Sequence, residues 1–308
     1  MTKNKPKIIA IVGPTSSGKS ELAVDIALYI KKNSAKFGID GAEIISADSR
    51  QVYKGMSLGS GKISKKEMRK VPHHLLDVVS PNTRFTAAHY QRLAKKAIDK
   101  IIAENKMPII CGGTGFYIKT VLENLELPGV KPDLRLRKKL EDKSPSQLYK
   151  MLLKLDPRRA KDIDFHNPVR LIRAIEISQK LGNVPGLKES EISYNPLYIG
   201  ISPNPRILKE RIRSRILKRL GKGMIGEVKK LHSSGVSWKR LEGFGLEYRF
   251  IGRFLTGKIS KKTMIDNLEK ETNRYAKRQM TWFKKNKEIA WINNTKKALP
   301  LVKSFILS

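Results

Sequence analysis

The chain predicts an α/β fold: a parallel sheet flanked by helices, carrying a small all-helical insertion. Three observations predict it. Short apolar runs alternate with helical patterns through the first 120 residues, a glycine-rich loop joins the first run to the first helix, and a wholly helical stretch precedes a returning apolar run. With 308 residues and 40% hydrophobic content the chain can bury a substantial core. The domain reading is one large core at 1–128 and 190–308, with the insertion at 129–189.

The first strand is Lys7-Ile8-Ile9-Ala10-Ile11-Val12, an apolar run that ends at Gly13-Pro14-Thr15-Ser16-Ser17-Gly18-Lys19-Ser20. A helical pattern over 21–32 follows directly. This is the context in which a phosphate-binding loop works: the strand delivers it, the glycines let backbone N–H groups close on phosphate oxygens, and the helix N-terminus adds its positive end. A chance glycine-rich turn would need neither the flanking strand nor the helix. The sheet is therefore expected to be P-loop NTPase-like. Lys19 can reach terminal phosphates, and Ser20 is the expected hydroxyl ligand of a phosphate-bound Mg2+ ion.

The next elements are a strand at 43–47, a helix at 87–105 and a strand at 108–111. In an open parallel sheet the ligand sits beyond the carboxyl ends of the strands. The residues that follow them, Asp48-Ser49-Arg50-Gln51 and Gly112-Gly113-Thr114-Gly115, should converge with the glycine-rich loop. From 135 to 177 the sequence is rich in Leu, Lys and Arg at helical spacing, broken at Ser144-Pro145, Asp156-Pro157 and Asn167-Pro168. The stretch 181–196 reads as the hinge back to the core, 197–201 as a returning core strand, and 206–220 and 264–285 as long helices.

Charge gives a separate constraint. Lys and Arg number 63 against 28 Asp and Glu, a formal net charge of +35. That much like charge opposes compaction, and a nucleic-acid backbone would relieve it with release of counterions; a solvated basic surface is the plainer alternative. No run of about 18 apolar residues is present and no signal peptide opens the chain, so a membrane partner is not expected. The single cysteine, Cys111, permits no internal disulfide and fits a reducing, cytoplasmic setting. The adjacent pair His73-His74 makes a poor metal site.

Asp48 is the first candidate for chemistry. At the end of the second strand its carboxylate is a magnesium ligand, a general base or the cap of a following turn, and the sequence leaves all three open. Thr114 is either a hydroxyl donor to phosphate or base, or a turn residue. Arg211, Arg215 and Arg219 recur at four-residue spacing beside the apolar stripe Ile212, Ile216, Leu220, so one helix face is core and its neighbour is a row of guanidiniums suited to diphosphate or RNA. The run Asn273-Arg274-Tyr275-Ala276-Lys277-Arg278-Gln279-Met280-Thr281-Trp282-Phe283-Lys284 interleaves cations with aromatics; it suits phosphates and stacked bases, or core anchoring by Trp282 and Phe283.

Six segments in order make the chain resemble the tRNA dimethylallyltransferases. They are Gly13 to Ser20; Ser46-Ala47-Asp48-Ser49-Arg50-Gln51-Val52-Tyr53; Val71-Pro72-His73-His74-Leu75; Gly112-Gly113-Thr114-Gly115-Phe116-Tyr117; Arg170-Leu171-Ile172-Arg173-Ala174-Ile175-Glu176; and Arg274-Tyr275-Ala276-Lys277-Arg278-Gln279. The resemblance spans residues 7–291. It implies that Gly13, Pro14, Thr15, Ser16, Ser17, Gly18, Lys19 and Ser20 bind the diphosphate of dimethylallyl diphosphate with Mg2+, and that Asp48 is the general base on the adenine amino group. It also implies that Asp48, Ser49, Arg50, Gln51, Thr114, Arg135, Val169, Arg170, Leu171, Ile172 and Arg173 meet tRNA, Thr114 belonging to the catalytic set as well. Arg211 or Arg215 would steady the leaving diphosphate, the helical insertion would grip the anticodon stem-loop, and the enzyme would be a cytoplasmic monomer.

The chain departs from that family's pattern twice. Gly245-Leu246-Glu247-Tyr248 puts an acid where a basic residue is usual, and Gly59-Ser60-Gly61-Lys62 has Ser60 in place of threonine and lacks the proline that commonly follows. The alternative functions are an adenylate (cytokinin-type) isopentenyltransferase, which has no use for so large a positive charge, a small-molecule kinase of the same fold, and a non-catalytic RNA-binding protein.

Overall fold

The computed structural model describes residues 5–187 and 191–308. Six strands, β1 (Lys7–Val12), β2 (Ala42–Ser46), β3 (His73–His74), β4 (Met107–Gly112), β5 (Asn195–Ile201) and β6 (Ala290–Ile292), form one sheet in the order β3-β2-β4-β1-β5-β6. Every pairing is parallel. β1 lies in the middle, with Ile9 beside both Ile109 and Leu197.

The apolar run of β1 is explained by its place. Successive side chains of a strand point to opposite faces, and a central parallel strand has both faces covered. Ile8, Ala10 and Val12 enter one core with Tyr90, Ile98, Ile118 and Val121 from helices Ala87–Ala103 and Gly115–Leu122. Ile9 and Ile11 enter the other, with Leu22, Ile26 and Ile30 of helix Lys19–Lys32 and Val302 of the last helix, Ala298–Leu307. Each such isoleucine contributes about 1.5–3 kcal/mol by burial.

A third core packs helices Pro205–Gly221, Met224–Ser233, Leu246–Leu255 and Lys261–Phe283 around Val52, Tyr53 and Met56. Here Ile212 and Ile216 are buried and Leu220 packs partly against them, as the stripe beside the arginine row requires.

The chain divides into two compact units, Met1–Asn124 with Glu191–Ser308, and Leu125–Ser190. The sequence places these divisions at 128/129 and 189/190. Residues 188–190, at that second division and inside the expected hinge, lie outside the described residues, as do residues 1–4 of the basic N-terminal stretch. The second unit has its own core of Leu140, Leu148, Leu152, Leu171 and Ile175. Its three helical breaks are helix starts. Ser144, Asp156 and Asn167 each cap a helix through the side chain and each is followed by proline at the first helical position, where a missing N–H costs nothing.

Two strands have no counterpart in the sequence reading. β3 and β6 are the sheet edges, only two and three residues long, and the apolar Ala290-Trp291-Ile292 of β6 is too short to stand out as a strand. The pair His73-His74 is β3 itself; His74 Nε2 meets Glu43 Oε2 at 2.6 Å, so it serves pairing within the sheet.

Candidate active site: a glycine-rich loop facing an arginine helix

Beyond the carboxyl ends of β1, β2 and β4 lies a cleft of about 340 Å³, built wholly from the first unit. From the glycine-rich loop it is lined by Thr15, Lys19 and Ser20; from the turn after β2 by Asp48, Ser49, Arg50 and Gln51; and from the turn after β4 by Gly112 and Gly113. The three strand ends do converge. Gly18 caps helix Lys19–Lys32 at φ 94°, a left-handed conformation that glycine adopts without strain, and no side chain caps that helix. The leading N–H groups and the positive end of the helix dipole are left for an anion. Ser17 Oγ is buried in the same loop and has no hydrogen-bond partner among the described residues. Lys19 Nζ donates to Pro14 O at 2.6 Å, and burial pulls its ammonium down to about 8, with Cys111 and Asp48 opposing that fall and Arg215 adding to it.

Asp48 uses one oxygen locally. Oδ1 accepts the backbone N–H of Arg50 (2.8 Å) and of Gln51 (3.3 Å), while Oδ2 takes no hydrogen bond from the described residues. The turn-capping role is thus present, and it fixes the carboxylate in the cleft wall with its other oxygen uncommitted. Thr114 Oγ1 accepts the N–H of Ser49 (3.1 Å) and the Thr114 N–H donates to Ala47 O (3.1 Å), so Thr114 ties the two turns together; it is not among the residues lining the cleft.

The opposite wall is helix Pro205–Gly221. Arg215 and Arg219 line the cleft; Arg211, one turn earlier, is exposed and does not. Arg215 Nη2 donates to Gly61 O (2.9 Å), and Arg219 Nη1 donates to Leu58 O (2.9 Å) and Gly59 O (3.2 Å). Burial, and next the neighbouring Arg219, lower the pKa of Arg215. Arg219 Nη2 also meets Glu247 Oε1 at 2.8 Å, so the acid that departs from the family pattern is an arginine partner inside the cleft.

Helix Lys261–Phe283 contributes Tyr275, Arg278 and Gln279. Arg278 lies 5.9 Å from the centroid of the Tyr275 ring, and burial pushes the Tyr275 hydroxyl up to about 12. Phe283 is a core anchor at 5% exposure, whereas Trp282 is 39% exposed, with its indole beside Gly115.

Arg135 and residues 169–173 belong to the second unit. Arg135, Val169 and Arg170 are exposed, Val169 at 72%; Leu171 is core; Ile172 is partly buried; and Arg173 donates to Val130 O (2.8 Å) and Glu176 Oε2 (3.2 Å). Arg249 and Gly59 to Gly61 are cleft residues that the sequence did not assign; Arg219 is read there as part of the arginine row without being given the diphosphate contact.

The cleft's cations, Lys19, Arg50, Arg215, Arg219, Arg249 and Arg278, outnumber its acids, Asp48 and Glu247, so it suits an anion. No group of three or more His, Cys, Asp or Glu is placed to hold a metal among the described residues. Ser20 and the free Asp48 oxygen share the cleft, which fits an ion such as Mg2+ that takes most of its ligands from phosphate and water.

A parallel α/β core with a glycine-rich loop at a strand–helix junction and a cation-lined cleft defines a class of enzymes that act on phosphate esters. The family model for IPP transferases matches residues 51–286. A tRNA dimethylallyltransferase 1 of Syntrophus aciditrophicus is 40% identical over 301 residues, covering 95% of this chain and 94% of that one. The tRNA dimethylallyltransferase of Acetivibrio thermocellus is 38% identical, covering 93% and 91%. Among solved structures, the full-length tRNA isopentenylpyrophosphate transferase of Bacillus halodurans superposes with a TM-score of 0.71 at 32% identity, covering 98% of this chain and 96% of that chain. A eukaryotic dimethylallyltransferase acting on tRNA shares the fold at a TM-score of 0.78 and 24% identity, over 98% of this chain and 80% of that chain. The chain belongs to the IPP transferase family, and its sheet has the P-loop-like fold of these structures.

Proposed function

We propose that the protein transfers a dimethylallyl group from dimethylallyl diphosphate to the exocyclic amino group of the adenosine 3′-adjacent to the anticodon, in tRNAs reading codons that begin with U. Its relatives are tRNA dimethylallyltransferases, and this favours tRNA over free adenylate as acceptor. The observation that carries the mechanism is a single cleft lined by Lys19, Ser20, Asp48 and Arg215.

The adenine amino group is a weak nucleophile inside a stacked loop, so the base must leave the stack and meet the prenyl carbon in line. The amino nitrogen forms a bond to the first prenyl carbon as the bond from that carbon to the diphosphate oxygen breaks. The electron pair leaves with diphosphate, and the proton passes from nitrogen to Asp48. Two backbone N–H groups hold Asp48 Oδ1, which leaves Oδ2 as the proton acceptor. Lys19, the loop N–H groups and Arg215 stabilise the charge that grows on the diphosphate. Ser20 would hold Mg2+, which when bound would neutralise part of that charge. Arg135 and the exposed side of 169–173 would contact the tRNA, and Tyr275 with Arg278 would receive the extruded base.

The test is incubation of the protein with magnesium, dimethylallyl diphosphate and unmodified tRNA, followed by mass analysis of the digested nucleosides. One prenyl unit gained on a single adenosine is expected. Prenylation of AMP with none on tRNA would move the reading to the adenylate enzyme.

A further inference from the structure

Glu227, on helix Met224–Ser233, accepts four hydrogen bonds from outside its own helix. Oε2 takes the N–H of Ser57 (2.9 Å) and of Leu58 (2.6 Å); Oε1 takes the N–H of Gly59 (2.9 Å) and the Tyr248 hydroxyl (2.9 Å). The opposite side of the same loop presents its carbonyls to the cleft arginines, Leu58 O and Gly59 O to Arg219 and Gly61 O to Arg215. The peptide unit joining Leu58 to Gly59 carries both contacts, its C=O on Arg219 and its N–H on Glu227. That peptide dipole is aligned between a carboxylate and a guanidinium, the arrangement in which each contact strengthens the other.

The loop packs closely on its neighbours: a Cβ on Gly59 would lie 2.5 Å from the Tyr248 ring, and a Cβ on Gly61, at φ 62°, would displace the Arg215 guanidinium. Gly61 N–H to Leu58 O (3.1 Å) and Lys62 N–H to Ser57 O (2.9 Å) close the turn.

We propose that Glu227 is a positioning residue for Arg215, acting through the loop 57–61, whose other carbonyls hold Arg219, to aim the Arg215 guanidinium at the diphosphate. The inference rests on the diphosphate reading of the cleft given above. Its chemical merit is that Arg215 is oriented by a neutral carbonyl, so its whole charge remains available to the leaving group. A carboxylate bound directly to Arg215 would orient it equally well and cancel that charge.

The test uses two variants that reach Arg215 from opposite sides of the loop. Glu227→Gln keeps the side-chain shape but replaces one acceptor oxygen with an N–H2 group that cannot accept the loop's N–H groups. Gly61→Ala pushes directly on the guanidinium. Binding of inorganic diphosphate with magnesium is measured by calorimetry, binding of unmodified tRNA by filter retention, and steady-state KM for dimethylallyl diphosphate and for tRNA separately. Both variants are expected to bind diphosphate about tenfold more weakly, with KM for dimethylallyl diphosphate raised in step and tRNA affinity unchanged. A folded variant that binds diphosphate as tightly as the natural protein overturns the proposal, and so does equal weakening for diphosphate and tRNA. If Glu227→Gln does not fold, Gly61→Ala decides by the same criteria. Absence of diphosphate binding by the natural protein would instead remove the reading of the cleft itself.

Discussion

The side-chain amide of Gln279 bridges two loops of the active cleft: Oε1 accepts the Thr15 N–H at 2.8 Å, and Nε2 donates to Gly113 O at 2.9 Å. Those partners fix which end of the amide faces which loop. Gln279 is 6% exposed, so neither contact is exchanged cheaply for water. Gln279→Glu keeps the acceptor for Thr15 but loses the donor to Gly113 and adds negative charge to an anion site. The expected result is a loss of about ten- to a hundredfold in kcat/KM for dimethylallyl diphosphate. Steady-state kinetics at saturating tRNA check it, and a value equal to that of the natural protein would mean that the glycine-rich loop holds its shape without the bridge.

Asp48 gives one oxygen to its turn, and in the proposed reaction the other takes the proton. Because Oδ1 caps the turn at Arg50 and Gln51, Asp48→Ala loses the cap as well as the base, whereas Asp48→Asn retains an acceptor for the turn. Turnover should fall by about 10²–10⁴ in both, the range for losing a general base. tRNA affinity should fall only in Asp48→Ala, where the tRNA-facing turn loosens. Single-turnover assays beside filter binding separate these, and unchanged turnover in Asp48→Asn would remove Asp48 from the proton transfer.

Lys19 gives the cleft a pH dependence. Burial draws its ammonium from an ordinary 10.5 to about 8. A cation whose pKa falls on folding is held charged at a cost, so the stability contributed by this group rises with pH between about 8 and 10.5, where the unfolded chain binds more protons. The proposed diphosphate binding would run the other way, because the folded site loses its ammonium as the pH rises through about 8. The profile of kcat/KM for dimethylallyl diphosphate, which reports free-enzyme groups, should fall above about pH 8, and Lys19→Arg should move that limb to higher pH. An unmoved limb would assign it to another group.

The central strands were legible because β1, β2 and β4 are buried on both faces and are mostly apolar, Glu43 of β2 being buried against His74 and Lys106. The edge strands β3 and β6 were not, since two or three residues are too few to show a strand period, even where Ile292 of β6 reaches the core. The convergence of the glycine-rich loop, Asp48 and the turn at 112–113 followed from the parallel topology. The choice between Arg211 and Arg215 did not: three arginines at four-residue spacing lie close in angle, and only the packing of Ile212 and Ile216 sets where the cleft begins along the helix. Glu227 was invisible for a different reason. Three of its partners are backbone N–H groups almost 170 positions away, which leave no trace in the identity of the residues that carry them.

In the second unit Glu176 is 1% exposed and accepts Arg137 Nη2 at 2.5 Å, Arg173 Nη1 at 3.2 Å and the Asp133 N–H at 3.0 Å, with a further bond from Arg137 Nε. Burial works to raise its pKa, and the hydrogen bonds from Arg137 and Arg173 more than reverse that, leaving it below the ordinary 4.5. Its stabilisation is therefore complete above that ordinary value and lost as the pH falls through the lowered one. Glu176→Ala leaves two guanidiniums without their buried acceptor, at a cost of about 3–5 kcal/mol. Helix Leu134–Leu140 is joined to helix Pro168–Leu181 through this carboxylate, so the loss should appear locally. Hydrogen exchange of the Leu134–Leu140 amides should quicken by about two to four orders of magnitude, the same energy read as an opening equilibrium. Diphosphate affinity should stay where it was, because the described residues that line the cleft all belong to the first unit. Unchanged exchange would show that the core of Leu140, Leu148 and Leu171 holds this helix without the buried charge.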